Sequence, residues 1–187
     1  MAFYLSTAQK GINSPFESLI QSASSRYGVP VSLIKGIISS ESSWNPSAAS
    51  SSSYGLMQLN ATYFHNADGS PIYDPAQNID VGTSVIAAQL QRRPSVELAL
   101  AAYNAGTSRS DADLSSRIAG NVNGVGSYVS NVLAYRDWYI ANDGGGTEGP
   151  PPPDGNGTTP DWGTDADIKL IAGIVVGLLL VFALVRR

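Results

Sequence analysis

Twenty-four residues near the C-terminus, GGGTEGPPPPDGNGTTPDWGTDAD (144–167), decide how much of this chain is able to pack. They hold seven Gly and five Pro, a composition that buries too little apolar surface to offset the entropy of ordering it. A flexible linker is expected there, stiffened locally as polyproline II at Pro150–Pro153. Random-coil scaling gives it a span of about 25–30 Å. The 187-residue chain is therefore read as a folded domain over 1–143, a linker over 144–167 and a separate C-terminal segment over 168–187.

That last segment reads IKLIAGIVVGLLLVFALVRR. Its uncharged run covers 16 residues from Leu170 to Val185, or 18 from Ile168 if Lys169 snorkels. As a helix, 18 residues reach about 27 Å, just sufficient for a hydrocarbon core of roughly 30 Å. With no polar face, it is expected to enter a lipid bilayer through Ile168–Val185 as one transmembrane helix. Gly173 and Gly177 form a GxxxG pair that offers a surface for self-association. The opening MAFYLSTAQKGINSPF has neither a basic n-region nor a useful apolar h-region, so a tail-anchored chain without a cleavable signal is expected.

Charge and composition narrow the chemistry. Eleven basic against 15 acidic residues give a net charge of −4, which argues against a nucleic-acid partner. Cysteine is absent and His65 is the single histidine, so thiol catalysis and Cys-ligated zinc are excluded, and multi-His metal sites and Ser-His machinery are not expected. No metal or other cofactor is expected, and the chemistry falls to carboxylates, hydroxyls and amides.

The folded domain reads as mainly α. Phe16, Leu19, Ile20, Ala23 and Tyr27 recur at helical spacing, behind Ser14 as N-cap, Pro15 at the first helical position and Glu17 closing a capping box. Gly28 suits a left-handed stop. Further helices are predicted at about Val31–Ser42, Ile79–Gln91, Ser95–Asn104 and Ser127–Asn142. No run alternates convincingly with period two, so strands should be few.

Glu41 is the informative residue. Ile34, Ile37, Ile38 and Glu41 fall at i, i+3, i+4 and i+7, which places a carboxylate on an apolar stripe at the C-terminal end of a helix. Desolvation and the helix dipole both oppose its ionisation there. A general acid requires that tendency; a glutamate emerging into solvent as the helix frays is the plainer alternative.

The surrounding motifs favour the first reading. E-S-S-W-N-P-S-A-A-S (Glu41–Ser50), S-Y-G-L-M-Q-L (Ser53–Leu59), N-I-D-V-G (Asn78–Gly82), A-L-A-A-Y-N-A-G (Ala99–Gly106) and Y-V-S-N-V-L (Tyr128–Leu133) occur in order. Together this chain resembles the soluble lytic transglycosylase family of peptidoglycan-cleaving enzymes over roughly Ser14 to Tyr139. The resemblance implies a lysozyme-like, mainly α domain whose groove binds glycan strands of peptidoglycan, alternating GlcNAc and MurNAc. It implies Glu41 as the sole acid/base, Ser42 as the serine after it, the Gly55–Gln58 motif lining the groove, and Tyr103 with Asn104 across from the carboxyl. Two stretches depart from the family: the Ser-rich Ser50–Ser53 with Tyr54 before Gly55, and Thr107-Ser108 where Pro-Gly often follows A-Y-N-A-G.

The residues themselves are compatible with that chemistry. A hydrolysing glycosidase usually needs two carboxylates. Asp68, Asp74 and Asp80 are candidates for a second, but each sits where Asp is expected as a turn former or cap. With Glu41 alone, the MurNAc C6 hydroxyl supplies the nucleophile and a 1,6-anhydro end results. Met57 is either ordinary core or an apolar groove surface. Gln58 suits sugar hydroxyls or an N-acetyl group. Tyr103 and Tyr128 are expected to bring phenols near Glu41, Trp44 to pack rather than stack on sugar, and His65 to serve a loop or the core. A goose-type-lysozyme-like hydrolase and a catalytically silent peptidoglycan-binding module are the competing functions.

Location follows from a conflict. Arg186–Arg187 beyond the span place the tail on a cytoplasmic side by the positive-inside rule, leaving the N-terminal domain opposite, yet no export signal is visible. The virion membrane of a membrane-containing bacteriophage resolves it, with a bacterial envelope membrane as the alternative.

Overall fold

The computed structural model describes residues 2–143, and the side chains from Leu5 onward. Seven α-helices carry nearly all of that regular structure: α1 Ala2–Gln9, α2 Glu17–Tyr27, α3 Val31–Ser42, α4 Pro75–Arg92, α5 Val96–Ala105, α6 Asp111–Ala119 and α7 Val125–Asn142. One antiparallel ribbon, β1 Ser53–Tyr54 with β2 Leu59–Asn60, pairs Ser53 with Asn60 and Tyr54 with Leu59. The mainly α expectation and the scarcity of strands hold for this domain.

The central helix is α3. Nine consecutive residues, Val31 to Ser39, are buried, so the helix is enclosed on all sides, as a helix through the middle of a domain must be. Its closest neighbour is α7, and Gly36 sets the approach: a Cβ there would sit 2.8 Å from the Val132 carbonyl oxygen of α7. Lys35 is 1% exposed, and a buried ammonium is costly unless paired. Glu17 from the start of α2, at 2.7 Å, and Asp143 from the end of α7 both pair with it, so one cation ties three helices.

Helix α2 departs from its expected start. It begins at Glu17 rather than behind a Ser14 cap, with Phe16 as an N-cap that makes no side-chain bond. Ser14 Oγ accepts instead from the Phe16 amide at 3.2 Å. Glu17 does not fold back on a cap because its carboxylate bridges Gln21 and Lys35. The predicted stop is in place: Gly28 is left-handed at φ 69° and its amide bonds the Ser24 carbonyl. Helix α4 starts four residues before the expected Ile79, because Asp74 accepts from the Gln77 amide and Pro75 fills the first turn. Helices α1 and α6 were not expected. α6 buries only Leu114, too little for a recognisable apolar stripe, and is capped by Ser110.

Among the described residues no helix is long and apolar enough to cross a membrane. The linker 144–167, the expected bilayer span Ile168–Val185 and the Gly173–Gly177 pair lie outside the described residues.

Candidate active site

Glu41 lies one residue short of the end of α3, where the chain turns sharply. The next two non-helical residues, Ser43 and Trp44, both take positive φ, 51° and 70°. For residues other than glycine this conformation is strained and persists only when the surroundings enforce it. Trp44 does the enforcing: its ring is buried, and its Nε1 donates to Ser39 Oγ at 3.0 Å and Tyr139 Oη at 3.2 Å. Tyr139 in turn donates to the Ala8 carbonyl of α1. Trp44 therefore packs, as expected, and its packing fixes the helix end that carries Glu41.

The turn leads into the β-ribbon, whose tip is held by Asn78 on α4. Asn78 is fully buried; its Oδ1 accepts from the Met57 amide at 2.8 Å, and its Nδ2 donates to the Ile72 and Tyr54 carbonyls at 2.8 and 3.0 Å. One side chain thus satisfies three backbone groups of the ribbon and the loop beside it, which a neutral amide with both donors and acceptor is suited to do. Gly55, at φ 80°, lies so close that a Cβ would meet Asn78 Nδ2 at 2.2 Å. Gly82, one turn along α4, leaves room for Met57: a Cβ there would sit 2.5 Å from the sulfur.

These placements correct three sequence expectations. Met57 is 0% exposed and does not line the cleft; its thioether fills the space above Gly82 and approaches Thr83 Oγ1 at 3.9 Å. Gly55 is buried against Asn78 and also stays out of the cleft. Both shape the loop rather than its surface. Ser42 likewise turns inward along the helix, its hydroxyl donating to the Ile38 carbonyl at 3.1 Å, and it is not part of the cleft wall.

The cleft has a volume of about 830 Å³. Two stretches of chain line it, from Ser50 to Phe64 around the ribbon and from Tyr103 to Ser108 after α5, with Glu41 and Val85. Gln58 and Asn104, both expected at the site, belong to this lining. Gln58 Nε2 is committed to the Gly55 and Ala48 carbonyls at 3.0 and 3.2 Å, so its amide oxygen is the atom left for a substrate. Tyr103 donates its hydroxyl to the Met57 carbonyl at 2.8 Å. Tyr128 brings a buried hydroxyl that has no hydrogen bond of ordinary geometry but lies near enough to Glu41 to favour the carboxylate.

Burial pushes the Glu41 carboxyl from its ordinary 4.5 up to about 7, with Tyr128 acting in the opposite direction. Desolvation, and then the charge of Glu41, raise both the Tyr103 and Tyr128 phenols well above their usual range. All three groups thus favour their neutral forms, as expected where charge is removed from water.

Glu41 is the one carboxylate among the described residues lining the cleft. The three aspartates weighed as partners are occupied elsewhere. Asp68 closes an exposed turn on Ser70, Asp74 caps α4, and Asp80 pairs with Arg26 and Tyr27. His65 is an exposed loop residue whose Nδ1 lies 2.9 Å from the Asn66 carbonyl. Asn78 was legible only as part of N-I-D-V-G and not as an organiser of the site; an asparagine followed four residues later by glycine on a helix was the available signal.

The family described as Transglycosylase SLT domain matches residues 18–121. The chain is similar to the transglycosylase of Enterobacteria phage PRD1, at 36% identity over 93 residues, covering 49% of this chain and 35% of that protein. It is also similar to the membrane-bound lytic murein transglycosylase C of Mannheimia succiniciproducens, at 41% identity over 81 residues, covering 37% and 23% respectively. A protein of the same description from Actinobacillus succinogenes is 36% identical over 107 residues, 46% of this chain and 30% of that one. The chain thus spans about a third or less of the length of these relatives.

Proposed function

The chain belongs to the Transglycosylase SLT domain family, and from that membership we propose that it is a peptidoglycan lytic transglycosylase with a lysozyme-like catalytic domain. Glu41 is its single acid/base, cleaving the β-1,4 bond between MurNAc and GlcNAc. The observation that carries this reading is a lone cleft carboxyl whose pKa is raised to about 7. Such a group is protonated in a useful fraction at neutral pH and becomes a competent base once it has given its proton away.

Each step balances on that one carboxyl. Glu41 gives its proton to the glycosidic oxygen as the bond from MurNAc C1 to that oxygen breaks. The MurNAc C6 hydroxyl attacks C1, and its proton passes to the Glu41 carboxylate, restoring the acid. A 1,6-anhydro end forms and no water is consumed. The intramolecular nucleophile enjoys a high effective molarity, and the absence of a second cleft carboxylate among the described residues removes the usual means of activating water. Gln58, Asn104 and Tyr103 surround the substrate near Glu41, whereas Tyr128, expected there too, is not part of the cleft lining and acts on Glu41 from a buried position. Gly55, Met57 and Ser42 serve it indirectly, by shaping the loop and the helix end.

Mass spectrometry of digested cell-wall glycan tests this. Anhydro-MurNAc ends support it, reducing ends would make the protein a lysozyme-like hydrolase, and no cleavage would leave a glycan-binding module.

The setting is proposed with it. Ile168–Val185 anchors the enzyme in a bilayer, 144–167 tethers the catalytic domain, and the assembly serves local wall penetration by a phage particle. The apolar run and the similarity to a phage transglycosylase support this; the relatives named as membrane-bound support the bacterial-envelope alternative. Fractionation decides between them. Recovery in purified particles fits the phage role, and residence in membranes of uninfected cells ends it.

A further inference from the structure

Tyr63 is the most exposed large apolar side chain among the described residues, at 75%, and it lines the cleft that holds Glu41. Its backbone is nevertheless tightly fixed. The Tyr63 and Phe64 amides both donate to the Asn60 carbonyl at 3.0 Å, the Thr62 amide donates to Asn60 Oδ1 at 2.9 Å, and the Ala61 amide donates to the Ser52 carbonyl at 2.9 Å. Half-buried Phe64 anchors the same turn. A ring with only two rotatable bonds, left in water on a fixed backbone, loses little freedom on binding a partner.

The remainder of the wall says what that partner is. Among the described residues no Lys, Arg or His lines the cleft, and Glu41 is its one carboxyl group. Ser50, Ser53, Asn60, Asn104, Thr107 and Ser108 supply neutral hydroxyls and amides instead. Such a surface offers no cation to pair with the carboxylates of a peptide stem. It suits sugar rings, which present hydroxyls at their edges and apolar C–H faces to an aromatic.

We infer that Tyr63 is a stacking platform for the neutral face of one pyranose ring of the glycan, and that through it the cleft reads the sugar backbone rather than the peptide stems. The inference rests on the proposed peptidoglycan substrate. It assigns to Tyr63 affinity for the strand and no part in bond breaking.

The test uses the full-length chain in neutral detergent, carrying Glu41→Gln to stop turnover, and labelled glycan strands stripped of their peptide stems. Tyr63→Ala should weaken binding about three- to tenfold without moving the unfolding temperature, since the ring packs on little. Tyr63→Phe should bind as the parent does. In the active enzyme, Tyr63→Ala should raise KM and leave kcat unchanged. Undiminished binding by the alanine variant would overturn the inference, as would an equal loss in the phenylalanine variant, which would point to the hydroxyl. A loss confined to stem-bearing strands would place Tyr63 against peptide and overturn it too. Failure of the Glu41→Gln parent to bind stem-free glycan at all would remove the proposed substrate itself, and the inference with it.

Discussion

The Tyr103 hydroxyl donates to the Met57 carbonyl at 2.8 Å, so a phenol beside Glu41 is spent on the backbone of the loop that forms the cleft. Its proton is not available to the carboxyl. Tyr103 therefore positions the loop carrying Gln58, and its ring contributes the low-dielectric wall that keeps Glu41 neutral. Tyr103→Phe keeps that wall and deletes the bond. It should lower stability by about 1–2 kcal/mol and reduce kcat/KM through a displaced loop, while leaving the midpoint of the pH–activity profile where it was. Denaturant titration and a pH series on one variant measure both; a shifted midpoint would mean that Tyr103 bonds the carboxyl after all.

Tyr128 is expected to behave differently. Its hydroxyl favours the ionised form of Glu41, so removing it with Tyr128→Phe takes away the one contribution that lowers the pKa. The midpoint of the descending limb should move to higher pH than in the parent, and activity at alkaline pH should rise relative to activity at pH 6. A shift to lower pH would contradict the assigned direction.

Glu41→Gln separates function from stability. The amide is close to isosteric but cannot donate and then regain a proton, so cleavage should disappear. A carboxyl whose pKa is about 7 when folded and near 4.5 when unfolded binds its proton more tightly in the folded state. Stability is then fully retained below the unfolded value, falls as pH rises from there to about 7, and levels off above it. The glutamine variant has no such loss. At pH 8 it should be more stable than the parent by up to about 3 kcal/mol, and at pH 4 the two should be nearly equal. Urea midpoints at the two pH values decide it, and in the same experiments the parent's activity should fall through pH 7.

What was legible in the sequence was whatever depends on local periodicity. The apolar stripe of Ile34, Ile37, Ile38 and Glu41 is a property of α3 alone, and the burial it implies is realised, with the three isoleucines fully enclosed. The left-handed stop at Gly28 needs only its own helix. What was not legible depends on elements far apart in the chain. Nothing near Ser14 reveals that Glu17 will be drawn to Lys35, 18 residues later, instead of closing a cap. Nothing within G-L-M-Q reveals that Met57 points away from the cleft, because the space it fills is made by Gly82 on α4. The same motif that suggests a groove surface equally suits a loop that buries Gly55, Leu56 and Met57 and leaves only Gln58 to line the cleft.

The relation between Gly82 and Met57 yields the last prediction. A Cβ at position 82 would meet Met57 Sδ at 2.5 Å, Cβ at 2.8 Å and Cε at 3.0 Å. The terminal methyl and sulfur of a methionine are able to swing aside, but its Cβ is tied to the backbone, so the loop itself must shift. That backbone is gripped by Asn78 Oδ1 on its amide and by Tyr103 on its carbonyl, and a shift strains both bonds. Overpacking of this kind costs about 1–3 kcal/mol, to be read from the denaturant midpoint of Gly82→Ala. The adjoining residue is Gln58, so kcat/KM should drop with it although nothing at position 82 touches the cleft. Removing the obstacle, its Cβ included, in Gly82→Ala with Met57→Gly, leaves the loop free to return. If the double variant regains catalytic efficiency that the single one lost, the glycine acts through methionine on loop position. If it does not, Gly82 matters to the site for some reason other than room for Met57.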